Sequence, residues 1–358
     1  MDNSAIWASP PSVTILRLAY GRNINIHLLR VQLGMDVDNF INLMHDRIHV
    51  DNKLLSILSR SLGGSEEFWK NRYEQYFDDL GMSNKSVLAS YSKLLGGLSR
   101  DRNIELESLL DDFKVSSLEH LVSEYFLSPK VMFSKNQRMD PSPVKLADWI
   151  RRCEIIAEKI IFSSPITPFS GDTLKDILPK VVSFSKVNSI ENIIVNLKEC
   201  LLEAGVILIL SPSEAGNGVS GFTKSLLKQF RLVVVTDRYK NNAAFWFTLL
   251  HELSHCILHG LNEPLIHYSD DMFKLASLPG NYSYEEDEAN DYTENILFDS
   301  ELMQQLNKIS LSYKNVIRLG VQYDISPALL VAQLHRLNIA PYSHFRKIFR
   351  EVKFDRIF

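Results

Sequence analysis

Apolar residues recur every three or four positions along most of this chain, which is the pattern of short amphipathic helices. Between residue 13 and about 80 the runs VTILRLAY, INIHLLRVQLG, VDNFINLMHD, DNKLLSILSRSLGG and SEEFWKNRYEQYF predict a five-helix unit, 1–80, with a turn at Gly34. Residues 81–144 are more polar and Ser-rich, with weaker helical patches at IELESLLDDF and LEHLVSEYF, and read as a helical connector with a boundary near Pro141. A strongly periodic helix, LADWIRRCEIIAEKIIF, then stops at Ser163-Ser164-Pro165, and SIENIIVNLKECLLEAG ends at Gly205.

Two short β-branched runs break the helical pattern. VILIL (206–210) and LVVVT (232–236) predict strands, and the glycine-rich GNGVSGFTK between them predicts a bent edge strand or a loop. Helical periodicity resumes in NNAAFWFTLLHELSHCILH, EEDEANDYTENILF, YKNVIRLGVQYD and SPALLVAQLHRLN, where Ser326-Pro327 makes a good helix start. The expected fold is mainly α, with an α+β domain over 145–312 that holds a short sheet, and a C-terminal helical region, 313–358, packed on it.

Composition narrows the class. A chain of 358 residues suits two or three domains, and 45% hydrophobic with 23% charged residues excludes a disordered chain. The net charge of -4 provides no global basic field for nucleic acid or anionic lipid. Cys153, Cys200 and Cys256 lie far apart, with no C-x-x-C pair, which argues against disulfides and a thiolate metal cage and points to the cytoplasm. No basic lead precedes an apolar core, and no run nears ~18 apolar residues, so neither secretion nor a membrane partner is expected.

The candidate chemistry sits at His251-Glu252-Leu253-Ser254-His255, an H-E-x-x-H motif on a predicted helix. Residues i and i+4 differ by about 40° and about 6 Å of rise, so both imidazoles project from one face and can grip one ion. Glu252 lies about 100° round, beside the open coordination position. That arrangement suits metal-assisted hydrolysis: a divalent ion, zinc above others, lowers the pKa of its water, Glu252 takes the proton, and the hydroxide attacks a carbonyl.

A third ligand is available about thirty residues on, where Glu285, Glu286, Asp287 and Glu288 open the next helix. Glu286 and Asn290 stand at i and i+4, so Glu286 could ligate while Asn290 bonds a ring N–H of a ligating histidine. Glu285 and Glu288 are the alternatives. An acidic first turn is also ordinary helix-dipole chemistry.

RYKNNAAFWFTLLHELSHCILHG followed by EEDEANDYTENILF resembles the ImmA/IrrE family of metallopeptidases, in particular members fused to an N-terminal HigA-type helix-turn-helix. The similarity runs from about Leu146 through the last helices. It implies one zinc per chain held by His251, His255 and Glu286 of Glu286-Asp287-Glu288-Ala289, with Glu252 as catalytic acid and base. His259 matches a further family histidine, with a supporting role. Ser254 stands where the family usually has Gly, and Tyr292-Thr293 where it has Phe-Ala. Arg238, Tyr239 and His267 are candidates for oxyanion stabilisation. Gly221, with Arg238 and Tyr239, is a substrate-binding candidate, because GNGVSGFTK resembles the strand beside the family's cleft and would bind an extended substrate by strand addition.

INIHLLRVQLG-MDVD-NFINLM matches a helix-turn-helix, with Leu29, Leu33, Gly34, Phe40 and Leu43 in the expected places. Its presumed recognition helix, however, carries Asp36, Asp38 and Asp46, with only Asn39 and Asn42 as useful donors to DNA, and Arg30 replaces a small residue. Residues 1–80 hold eight Lys or Arg against ten Asp or Glu, so counterion release contributes little. Weak or degenerate DNA binding competes with use of the unit for homodimerisation or partner docking.

Two functions follow as expectations. The first is a cytoplasmic zinc endopeptidase that cleaves a specific regulatory protein, repressor- or antitoxin-like, in a stress, defence or mobile-element response. The second is a DNA-binding, antitoxin-like transcriptional regulator whose peptidase-like domain senses or binds without cutting.

Overall fold

The computed structural model describes residues 10–80, 110–111, 113–116, 118, 121, 125, 143–187, 189–213, 219–260, 265–267 and 284–357. The expected connector and its boundary at Pro141 fall almost wholly outside them, as do most of the 260–284 loop and the start of GNGVSGFTK. The described structure is mainly helical, with one small sheet.

Two compact units emerge. Among the described residues, the first comprises those up to 125 together with 143–166. Its helices are α1 (Pro11–Gly21), α2 (Ile26–Gln32), α3 (Val37–Met44), α4 (Asn52–Leu62), α5 (66–80) and α6 (Pro143–Ser163). The starts are written locally: Asn25, Asp36 and Asp51 each accept a bond from a first-turn N–H, and Gly34 takes a positive φ of 64° at the turn between α2 and α3.

Helix α6 belongs to this unit, whereas the sequence pattern places it with the C-terminal domain from residue 145. Its end explains the difference. The Phe162 ring meets Phe40 of α3 edge-on at 4.8 Å, and the Phe162 carbonyl accepts from Arg30 Nε at 2.8 Å and His27 Nδ1 at 2.9 Å. Arg30, out of place in a DNA-reading motif, here supplies a donor to the last carbonyls of a helix.

Two ionisable clusters are buried in the same unit. Arg151 donates to Glu154 at 3.1 Å and to Glu158 at 3.0 Å, while His45 Nε2 lies 3.0 Å from Glu158. Burial raises the Glu158 carboxyl, but Arg151 and His45 outweigh it and hold it low, at about 2. Asp46 accepts the Ser12 N–H at 2.9 Å and the Ser12 hydroxyl, serving as a remote cap for α1, whose own N-cap Pro10 offers no side-chain bond.

The second unit is described from Thr167 to residue 357. Helices α7 (Gly171–Phe184) and α8 (Ile194–Glu203) lead into β1 (Val206–Ser211), β2 (Gly221–Leu226) and β3 (Phe230–Thr236). There follow α9 (Asn242–Leu258), β4 (Leu265–His267), α10 (Tyr284–Leu297), α11 (Ser300–Lys308), α12 (Tyr313–Gln322) and α13 (Pro327–Arg336). Strand order is β1-β3-β2-β4, with β1 parallel to β3 and β2 antiparallel to both of its neighbours. Every residue of β1 is buried, as expected of a strand covered on both faces.

Gly205 joins α8 to β1 with φ 71°, and a Cβ there would lie 2.5 Å from the Phe169 backbone nitrogen, so only glycine fits. Helix α9 runs under the sheet with residues Asn242 to Cys256 all buried. Its first turn is tied to the C-terminal segment: Asn242 N–H donates to the Arg350 carbonyl and Asn242 Oδ1 accepts the Arg350 N–H, both at 3.0 Å. Asp237, just before the helix, accepts the Phe354 N–H at 2.9 Å. The region 313–358 thus packs on the same core.

Burial pushes the Asp46 carboxyl up to about 7, overcoming the lowering effects of its Ser12 bonds and of Arg72. A carboxyl with a folded pKa above its ordinary 3.8 contributes stability that is full below about pH 4 and is lost as pH rises through about 7. Urea unfolding of the first unit at several pH values should therefore show Asp46→Asn abolishing a loss of a few kcal/mol between about pH 4 and 7. Equal pH slopes in wild type and variant would contradict this.

Candidate metal centre

Helix α9 is buried on all sides, so its polar residues at 251, 252, 254 and 255 must find partners inside the protein. His251 and His255, one turn apart, present their Nε2 atoms to each other at 3.0 Å. The Glu286 carboxylate, from the first turn of α10, completes the group. Its Oε2 lies 3.2 Å from His251 Nε2 and its Oε1 lies 3.4 Å from His255 Nε2. The structure thus brings together His251, His255 and Glu286, one ligand atom from each lying within 4.8 Å of the others.

These distances test the fit of a metal ion. Ligand bonds of about 2.0–2.2 Å in a tetrahedron put donor atoms about 3.3 Å apart, close to the three separations seen. Two imidazole nitrogens and one carboxylate are also the donor types of catalytic zinc sites. The residues fit the ion.

Glu252 is fully buried, and its Oε2 accepts the Thr223 hydroxyl at 2.6 Å. Its Oε1 has no hydrogen-bond partner among the described residues. That oxygen lies against Gly221 of β2, where a Cβ would come within 2.7 Å of it and within 2.9 Å of the Val234 carbonyl. Burial raises the Glu252 carboxyl well above the usual range; the Thr223 bond opposes the shift and the Glu286 charge adds to it. Thr223 was not singled out in the sequence, because a strand threonine carries no local mark of the face it occupies.

Asn290, expected to bond a ligating histidine, leaves its Oδ1 without a hydrogen-bond partner among the described residues, and so does His255 Nδ1. The pair therefore does not make that bond. His259 Nε2 donates to the Glu285 carbonyl at 3.1 Å, tying the end of α9 to the first turn of α10. Glu288 lies 4.0 Å from His259 Nδ1 and Glu285 contributes its carbonyl, so neither joins the cluster.

Strand addition at Gly221 is pre-empted. Gly221, Phe222 and Thr223 already pair with His267, Ile266 and Leu265 of β4, and with β3 on the other side, so β2 is interior there rather than an edge. The backbone of His267 is in that ladder. Arg238 and Tyr239 stand in the turn before α9, with the Arg238 guanidinium 5.4 Å from the centre of the Tyr239 ring. About 14 Å of helix separates Asn242 from His251.

Two residues that differ from the pattern the motif helices resemble meet in space. Ser254 Oγ and Thr293 Oγ1 are 2.8 Å apart and wholly buried, and each also donates to or reaches a carbonyl one turn back, Leu250 or Ala289. The pair pins α9 to α10 midway along the helices that carry the three ligands.

At the other candidate site, the Asn39 amide bonds the carboxylate of Asp36 at 2.6 Å, and Asp38 pairs with Lys159 at 3.1 Å. Asn42 is half-buried. Arg47 is engaged with Asp111 and the Leu110 carbonyl. Cations around α3 are thus drawn into intramolecular bonds, and its start presents carboxylates.

No family model matches the chain, and no curated protein is significantly similar to it.

The Ser254–Thr293 contact predicts a measurable coupling. Ser254→Ala and Thr293→Val should each cost about 1 kcal/mol in denaturant unfolding, and the double variant clearly less than the sum. Strictly additive costs would show that the hydroxyls do not support each other.

Proposed function

We propose that this chain is a zinc-dependent endopeptidase of the ImmA/IrrE type, acting in the cytoplasm on a specific regulatory protein. The observation that carries this reading is the convergence of His251, His255 and Glu286 beside a buried Glu252 with one uncommitted oxygen. Its substrate class, a repressor- or antitoxin-like protein in a stress, defence or mobile-element response, follows from the resemblance in the motif helices. No described helix is long and apolar enough to cross a membrane.

His251, His255 and Glu286 would hold the ion. A divalent cation bound there supplies Lewis acidity, activating water and polarising the scissile carbonyl. The chain's own residues do the proton work. Thr223 fixes one carboxylate oxygen of Glu252 and leaves Oε1 to accept a proton from water. Burial favours the protonated form of that carboxyl, and the same group would return the proton to the departing amine. Gly221 keeps the space in front of Oε1 open.

The regulator reading draws less support. Asp36 and Asp38 occupy the start of α3, and Arg30 and Arg47 are committed to backbone carbonyls.

Purification of the Glu252→Gln chain should retain the metal and co-purify the protein substrate. Offered that substrate, wild type should cleave it at least about a hundredfold faster than Glu252→Gln. Gly221→Ala, which forces a methyl onto Oε1, should keep the metal and slow cleavage at least about tenfold. Undiminished cleavage by Glu252→Gln would overturn the assignment.

A further inference from the structure

The second unit also carries a groove of about 640 Å³, within the ~300–1,000 Å³ typical of small-ligand sites. One wall is a face of α12, where Ile317 and Val321, one turn apart, are 49% and 74% exposed. Ile325 and Ile348 extend the apolar lining. Single exposed apolar residues are ordinary; several around one concavity mark a site that excludes water.

Among the described residues, three cations, Lys186, Lys347 and Arg350, line the groove, and no carboxylate does. Lys186 is held by Asp324. Lys347 and Arg350 have no carboxylate partner among the described residues, and the Arg350 guanidinium donates to the Lys347 carbonyl at 3.2 Å, which keeps the two together. The surrounding sequence shares this bias. Residues 313–358 hold eight Lys or Arg against three Asp or Glu, in a chain of net charge -4.

We propose that this groove binds an amphipathic small-molecule anion of the fatty-carboxylate class. Its chain lies along Ile317, Val321 and Ile348, and its carboxylate meets Lys347 and Arg350. A second copy of the chain is a poor occupant, because a two-fold contact would set the same cationic patch against itself. A helical peptide needs a trough several turns long, whereas this cavity has the volume of one small ligand. The site uses none of the residues assigned to the metal centre. The Arg350 backbone is nevertheless bonded to Asn242, the first residue of α9, so the proposed headgroup site adjoins the start of the motif helix.

Calorimetric titration of the full chain with decanoate tests the proposal. One molecule should bind per chain, at least tenfold more tightly than decanol. The Lys347→Glu/Arg350→Glu double variant should lose at least tenfold in affinity, and so should Val321→Asp. Val321 is largely exposed, so that variant should keep the wild-type circular dichroism and remains informative if the double variant misfolds. Absence of decanoate binding, equal affinity for decanol, or unchanged binding by Val321→Asp would overturn the proposal. A dimer in sedimentation that Val321→Asp dissolves would also overturn it, by identifying a second copy as the occupant.

Discussion

The C-terminal unit depends on a helix that has no solvent face. From Asn242 to Cys256 every residue of α9 is buried, between the sheet, α10 and the C-terminal helices. Such a helix must be apolar nearly all round, as FWFTLL and the later Leu253 and Cys256 are. The polar residues it does contain are therefore costly unless something compensates for their desolvation. His251, Glu252, Ser254 and His255 stand out because the surrounding helix leaves no other reason for them.

Each is compensated differently. Ser254 is satisfied by Leu250 and Thr293, a purely structural arrangement. Glu252 is half satisfied by Thr223. The two histidines and Glu286 face one another. The first unit offers a contrast: its buried carboxylates Glu154 and Glu158 meet a guanidinium, Arg151, and so form a self-contained ion-pair network. The donor set on α9 and α10 is instead of the kind that divalent cations take, which is the physical basis for reading one cluster as a fastener and the other as a site.

Much of this was legible in the sequence because it is local. Periodicity marks the helices of the first unit, the β-branched runs mark β1 and most of β3, and i to i+4 spacing places His251 and His255 on one face. Other features needed three dimensions. Helix α7 carries Pro179 in its interior, which reads as a break, and β4 is three residues long and defined by pairing alone. Phe162 shows an apolar face without naming Phe40 as its partner, so α6 falls in the wrong unit. Gly221 is a candidate for binding substrate on its sequence, but matters for the space it leaves beside Glu252. The changes at 254 and 293 look independent in sequence and are a single hydrogen bond in the fold.

If His251, His255 and Glu286 hold a metal ion, the metal content of the protein shows it. Emission spectrometry of the purified chain, after zinc reconstitution and exhaustive dialysis, should give about one zinc per chain, lost in His251→Ala and Glu286→Ala and retained in His27→Ala. No divalent metal retained by wild type, or zinc kept by both the His251→Ala and Glu286→Ala variants, would show that these side chains hold no ion.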